Sequence, residues 1–324
     1  MRPLTTGLLA ALSLAALAAL GTGARAYHRD MTQARAALAG RSQVVETAFG
    51  PVEYAEDGQG PAVLVIHGSG GGFDQGLAFS EPLTGVRRIS PSRFGYLQSP
   101  MPAGATPEMQ ADALAELLGA LATGPVVILG GSAGALSATQ LALRHPELCR
   151  GLVLVAPALY APDRAPDARA PTPPVVDALI QAALGSDLVF WLGMKAAPDL
   201  MVRTVLGTDP ALLTTATASE RRRVSEVLFH ILPIRPRRDG LIMDGATSGA
   251  PPPYDFDRIA CPVLAIAARD DLYGTDRAAV HVAQLAPTAE LVLFEEGGHL
   301  WVGHDQALWA AVAEFISAQA ADAP

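Results

Sequence analysis

The run Val126-Val127-Ile128-Leu129-Gly130-Gly131-Ser132-Ala133-Gly134 sets one serine between an aliphatic stretch and a segment of helical periodicity. Its frame is G-x-S-x-G. Glycines at 130 and 134 let a strand and a helix approach closely around a sharp turn, which holds the serine in strained backbone with its Oγ exposed. The N-terminus of the following helix offers positive potential to an oxyanion. This is the chemistry of a nucleophile, and a serine nucleophile needs a base that is itself oriented by an acid. Two later aliphatic stretches end in such residues. Residues 263–267 run into Arg269-Asp270-Asp271, and residues 291–294 run into Glu295-Glu296-Gly297-Gly298-His299. The chain order Ser132, Asp271, His299 is nucleophile, acid, base. Asp270 is an alternative acid, and His304, five residues beyond His299, an alternative base.

A second glycine-rich loop, His67-Gly68-Ser69-Gly70-Gly71-Gly72, follows the aliphatic residues 63–66. Such a loop can aim backbone N–H groups at a developing oxyanion. It lacks the Lys-Ser/Thr of a phosphate-binding P-loop and the spacing of a dinucleotide fingerprint. His67 reads as a structural residue that orients the loop by hydrogen bonds, not as the base.

These groups need a scaffold. Residues 62–66, 126–129, 152–155, 263–267 and 291–294 are short runs apolar on both faces, the pattern of buried parallel strands, and residues 86–90, which include Arg87 and Arg88, are read as a strand with them. Helical patterns alternate with them, over 107–122 (capped by Thr106 and opened by Pro107), 132–144, 276–285 and 306–318. Residues 43–49 and 52–56, flanking Gly50-Pro51, predict a hairpin. Alternating βα order predicts a mainly parallel sheet with helices on both faces and its site at the C-terminal strand ends. Residues 157–255 break the alternation. A Pro-rich linker at 161–174 precedes helical patterns at 175–184, 188–206 and 219–232, which read as a cap over the sheet. Phe190, Trp191, Met194, Met201 and Phe229 are expected to pack the cap. His230 and the arginines of residues 235–238 form either a solvated face or a site for an anionic substrate. Cys149 and Cys261, far apart in sequence, read as small buried hydrophobes and not as a disulfide framework.

At the N-terminus, Arg2 precedes the uncharged residues 3–24, and Ala24-Arg25-Ala26 has the small-x-small form of a signal-peptide cleavage site. Residues 1–26 are read as a signal peptide or a membrane anchor, giving an exported or membrane-anchored protein associated with membrane through that segment. The expected organisation is this leader, a helical linker over 27–42, an α/β core over 43–156 and 256–324, and the helical cap. The 324 residues carry 23 Lys+Arg against 32 Asp+Glu, a net charge of −9. Half are hydrophobic and 17% are charged, which excludes intrinsic disorder. The acidic balance and an aromatic content of 6% argue against nucleic acid as a partner. Mean hydropathy is +0.27, and the buried strands account for more of it than the leader does.

The chain resembles the α/β-hydrolase superfamily over roughly residues 43–320, in the branch with an HGxxG loop (here residues 67–71) and a helical cap between the sixth and seventh strands. The resemblance implies an eight-stranded, mostly parallel sheet and a Ser-His-Asp triad of Ser132, His299 and Asp271. Ala268 stands where the family's G-x-x-D turn has glycine, so Asp270 stays the runner-up. The oxyanion donors map to the backbone N–H groups of Ala133 and Ser69, with Gly70 second. Residues 92–99 resemble the family's D-x-R-G-x-G-x-S stretch with departures, and Arg93 is expected to anchor the loop. Gly131 stands where many relatives carry His or an aromatic, leaving that pocket wall open. A serine at this turn argues against epoxide hydrolase and haloalkane dehalogenase chemistry. The expected activity is hydrolysis of an ester-like, small to medium hydrophobic substrate without metal or organic cofactor. The same triad can also serve C–C bond, lactone or amide hydrolysis, and the scaffold can serve a ligand-binding protein.

Overall fold

The computed structural model describes residues 2–164 and 181–321, the side chains of residues 2–17, 19 and 321 excepted. The Pro-rich linker of residues 161–174 and the helical pattern of 175–184 fall largely outside the described residues.

Eight strands form one sheet: β1 (Gln43–Thr47), β2 (Gly50–Asp57), β3 (Ala62–Ile66), β4 (Arg87–Pro91), β5 (Val126–Gly131), β6 (Cys149–Val155), β7 (Val263–Ala268) and β8 (Ala289–Phe294). Their order across the sheet is β1-β2-β4-β3-β5-β6-β7-β8. The β1–β2 hairpin and its junction to β4 are antiparallel, and every pair from β4 to β8 is parallel. Period-two alternation sorts the inner strands between two cores. Leu64, Ile66, Ile128, Leu152 and Leu154 face one core, and Val63, Val65, Leu129, Val153 and Val155 face the other. A short helix α2 (Phe73–Phe79) follows β3, and helices α3 (Pro107–Ala120) and α4 (Gly134–Arg144) cover the first core. The C-terminal helix Asp305–Ala321 covers the second through Leu308, Trp309, Val312, Phe315 and Ile316. Burial on both faces is why these strands are apolar runs and not alternating ones. The Thr106 side chain accepts from Met109 N–H and Pro107 opens α3, the anticipated cap.

Between β6 and β7 the described residues hold helices and no strand: α5 (Asp187–Ala196), α6 (Pro198–Val205), α7 (Leu212–Thr215), α8 (Ala218–Phe229) and α9 (Arg238–Gly249). The single helix expected over 188–206 is broken in two, because Pro198 cannot donate an interior helix bond and opens α6 instead. Helix α9 has no counterpart among the helical patterns of the sequence. After β7 come α10 (Thr275–Leu285) and, after β8, α11 (Asp305–Ala321).

The expected leader and helical linker share one element. Residues Arg2–Leu38 form one continuous helix, α1. Its last turns dock on the cap: Met31 and Ala34 are buried with Phe190, Trp191, Val202 and Leu206. Asp30 accepts from Trp191 Nε1 at 3.0 Å and pairs with Lys195 Nζ at 3.0 Å, while Tyr27 meets Trp191 edge-on at 5.5 Å. Residues 27–38 are thus a packed part of the cap. Among the described residues no helix is long and apolar enough to cross a membrane.

Candidate active site

Ser132 sits at the turn between β5 and α4 with φ +49°, a left-handed conformation that a non-glycine residue adopts only when its surroundings impose it. The imposition is visible. A Cβ on Gly130 would lie 2.6 Å from Ala138 Cβ, and one on Gly134 2.5 Å from the carbonyl oxygens of Ile66 and His67. Strand, helix and the loop after β3 therefore converge on this turn because two residues have no side chain. Ser132 N–H donates to Val155 O at 2.9 Å, tying the turn to β6.

Asp271, after β7, and His299, after β8, reach the same point. Asp271 Oδ2 accepts from His299 Nδ1–H at 2.8 Å, so Nε2 carries the lone pair and accepts from Ser132 Oγ–H at 3.0 Å. Asp271 also accepts from the Thr275 hydroxyl and, at 2.8 Å, from Tyr273 N–H. Burial alone would raise the Asp271 carboxyl, but His299 and these donors outweigh it and hold it below the usual carboxylate range. Asp270 points elsewhere. It accepts from Gly297 N–H (3.2 Å) and Gly298 N–H (2.8 Å), capping the turn that carries His299. His304 is stacked on Phe294 at 4.2 Å, and the imidazole beside Ser132 is that of His299. Tyr273 meets the His299 ring edge-on at 5.0 Å and donates its hydroxyl to Thr204 O in the cap.

The loop after β3 lies against Ser132: a Cβ on Gly68 would be 3.1 Å from Ser132 Cβ. Among the described residues, neither Ser69 N–H nor Ala133 N–H has a hydrogen-bond acceptor, whereas Gly70 N–H is taken by the Tyr96 hydroxyl at 3.2 Å. His67 is buried with both ring nitrogens engaged. Nε2 accepts from Arg93 N–H at 3.0 Å and Nδ1–H donates to Gly68 O at 2.7 Å. Burial and the Arg93 cation keep this imidazole neutral, its pKa far below the ordinary range. Arg93 holds the loop from below, donating to His67 O (2.9 Å) and Gly68 O (3.1 Å).

The cap supplies two clamps on this loop that the sequence did not reveal. Asp244, in α9, accepts from Arg93 Nη1 (2.8 Å) and Nη2 (2.6 Å), Tyr96 Oη (2.5 Å) and Ser69 Oγ (3.0 Å). Arg237 is fully buried and pairs in two-pronged fashion with Asp74, Nη1–Oδ1 3.1 Å and Nη2–Oδ2 2.9 Å, while Nη1 also donates to Gly71 O. His230 Nδ1 lies 3.4 Å from Asp74. Arg237 is therefore neither a solvated side chain nor free to meet a substrate anion. Gly240 in α9 is a signal that could have been read: any side chain there would overlap the Tyr96 ring.

Ser132, Ser69 and His299 open into a cavity of about 1460 Å³. Phe79, Leu77, Phe190, Met201, Ile231 and Trp301 supply apolar wall. Gly131 lines it too, and a Cβ there would first meet Phe79, at 3.7 Å. Among the described residues no cluster of His, Cys, Asp and Glu could hold a metal ion.

The alpha/beta hydrolase fold family model matches residues 61–302, and the chain belongs to that family. Among solved structures, an alpha/beta hydrolase fold protein from Nakamurella multipartita is 28% identical, with a TM-score of 0.65 over 86% of this chain and 99% of that one. A thermophilic esterase from Thermogutta terrifontis is 19% identical, with a TM-score of 0.60 over 86% and 99%. A bacterial membrane phospholipase A is 18% identical, with a TM-score of 0.62 over 100% of both chains. The last two similarities show the fold alone. No curated protein matches the chain.

Proposed function

We propose that this protein is a serine hydrolase that cleaves the ester, or similarly activated carbonyl, of a hydrophobic substrate through an acyl-enzyme. The observation that carries the reading is the unbroken hydrogen-bond chain Ser132–His299–Asp271 at the floor of an apolar cavity. Ser132 Oγ attacks the carbonyl carbon while His299 Nε2 takes the hydroxyl proton. The charge on the carbonyl oxygen is met by the two unengaged amides, Ala133 and Ser69. The tetrahedral intermediate collapses as His299 returns the proton to the leaving alkoxide. Water, deprotonated by the same imidazole, then releases the acid and restores the Ser132 hydroxyl. Asp271 stays ionised throughout and stabilises the imidazolium.

Cavity size favours a bulky substrate, since common small-molecule pockets hold roughly 300–1,000 Å³. An esterase and a phospholipase A share the fold, in keeping with an ester as the bond cleaved. Residues 1–26 are proposed as a membrane-directed leader, which if retained would tether the enzyme through the cap. The test is hydrolysis of p-nitrophenyl esters of increasing acyl length by wild type and Ser132→Ala. Turnover should rise with acyl length and vanish in the variant. Activity surviving in Ser132→Ala would refute the proposal.

A further inference from the structure

The two cysteines are 112 residues apart in sequence, yet their sulfurs lie 3.0 Å from each other. The topology explains the meeting. Cys149 opens β6 and Cys261 stands two residues before β7, and these are neighbouring parallel strands paired Leu152 with Val263. Simple alternation would turn Cys149 away from the face that carries Leu152. A bulge at Arg150, where Val126 pairs with Cys149 and Val127 with Gly151, shifts it by one residue onto that face. Both thiols therefore sit in the core cluster with Leu152, Leu154 and Val263, 7% and 8% exposed. At 3.0 Å they are closer than an ordinary non-bonded pair and about one ångström beyond a sulfur–sulfur bond.

We propose that Cys149 and Cys261 are a disulfide-forming pair, joined when the chain folds in the presence of a disulfide oxidant. With the sulfurs 3.0 Å apart either thiol can donate to the other, and Cys261 is taken as the attacking thiolate. It displaces one thiolate from an external disulfide RSSR, forming Cys261–S–SR. Cys149, losing its proton, displaces the second. Two cysteine thiols and RSSR thus become one Cys149–Cys261 bond and two RSH. The closed loop runs from the start of β6 to the entry of β7 and contains the whole helical segment between them. The staple lies at the N-terminal strand ends, opposite Ser132, so it is expected to act on stability and to leave the site untouched.

The full chain is refolded in oxidised and reduced glutathione, then denatured with an excess of alkylating reagent and weighed intact. The expected mass carries no alkyl group and lies about two mass units below the fully reduced chain. Two alkyl groups, or a disulfide-linked dimer, overturn the proposal. In the same protein, reductant should lower Tm by about 7 °C, from the entropy of a loop this long and the unfolding entropy of a chain this size. Cys149→Ser and Cys261→Ser should show no reductant effect, and ester turnover should be equal in the oxidised and reduced wild type. A wild-type Tm indifferent to reductant also overturns it.

Discussion

Replacing Asp74 by Asn removes one charge from a buried pair and changes almost nothing else in shape. Arg237 has no exposed side-chain surface and its two terminal nitrogens rest on Asp74 at 2.9 and 3.1 Å. At an effective dielectric near 20, unit charges about 3 Å apart attract by roughly 5 kcal/mol. Removing one partner of such a pair strands the other charge, at a cost of about 3–5 kcal/mol. That is a large part of a typical total stability of roughly 5–15 kcal/mol. Asp74→Asn should therefore lower the unfolding free energy in urea by several kcal/mol, and Asp74→Asn with Arg237→Met should recover most of the loss, since no stranded charge remains. The pH profile adds a check. Burial would raise the Asp74 carboxyl, but His230 and Arg237 overcome this and hold it far below the usual range. A depressed carboxylate stabilises the fold in full at pH well above its unfolded value, about 3.9, and that stabilisation declines progressively as pH falls from there through the lower folded value. The stability gap between wild type and Asp74→Asn should be flat from pH 7 to about 5 and shrink below 4. A penalty under about 1 kcal/mol, or a double variant as unstable as the single, would refute the role of this pair as the clamp between cap and loop.

Three more outcomes follow from the geometry. Ser69→Ala keeps the backbone N–H but loses the bond to Asp244, so kcat for ester hydrolysis should fall roughly tenfold, within the cost of one lost hydrogen bond, with KM little changed. Asp271→Asn should cut kcat by about 10⁴-fold, as it turns the His299 tautomer, and in urea unfolding should abolish the part of acid destabilisation that arises below about pH 4. Gly134→Ala drives a Cβ to 2.5 Å from two backbone oxygens and should yield insoluble or strongly destabilised protein, whereas Gly119→Ala, with nothing within 4 Å in α3, should raise Tm slightly.

The parts legible in the sequence are those set by short-range rules. Strands buried on both faces must be apolar runs, so residues 126–129 and 263–267 announce themselves. Ser132 is framed by glycines whose absence of side chains is the condition for the turn. The strand ends bring Asp270 and Asp271, and His299 and His304, into view, and the family resemblance puts Asp271 and His299 first. What stayed hidden depends on long-range burial. Arg237 looks like any surface arginine until Asp74, far away in sequence, neutralises it within the fold. Helix α9 contains Gly240, Gly245, Gly249, Thr247 and Ser248, a composition that dilutes the helical signal, yet Gly240 is needed against Tyr96 and Asp244 is the carboxylate under Ser69. The cysteine pair needs both the β6–β7 adjacency and a one-residue bulge. The docking of α1 on the cap rests on Asp30, Met31 and Ala34, whose spacing says helix but not what the helix meets.

All of the proposed chemistry depends on Ser132 being a nucleophile activated by His299. Labelling of the native protein by a fluorophosphonate, with the modified residue mapped by peptide mass spectrometry, measures that reactivity at the residue itself. Stoichiometric phosphonylation is expected at Ser132, slowed by orders of magnitude in His299→Ala and absent in Ser132→Ala. A native protein that stays unlabelled, or is labelled at another residue, would contradict the triad assignment.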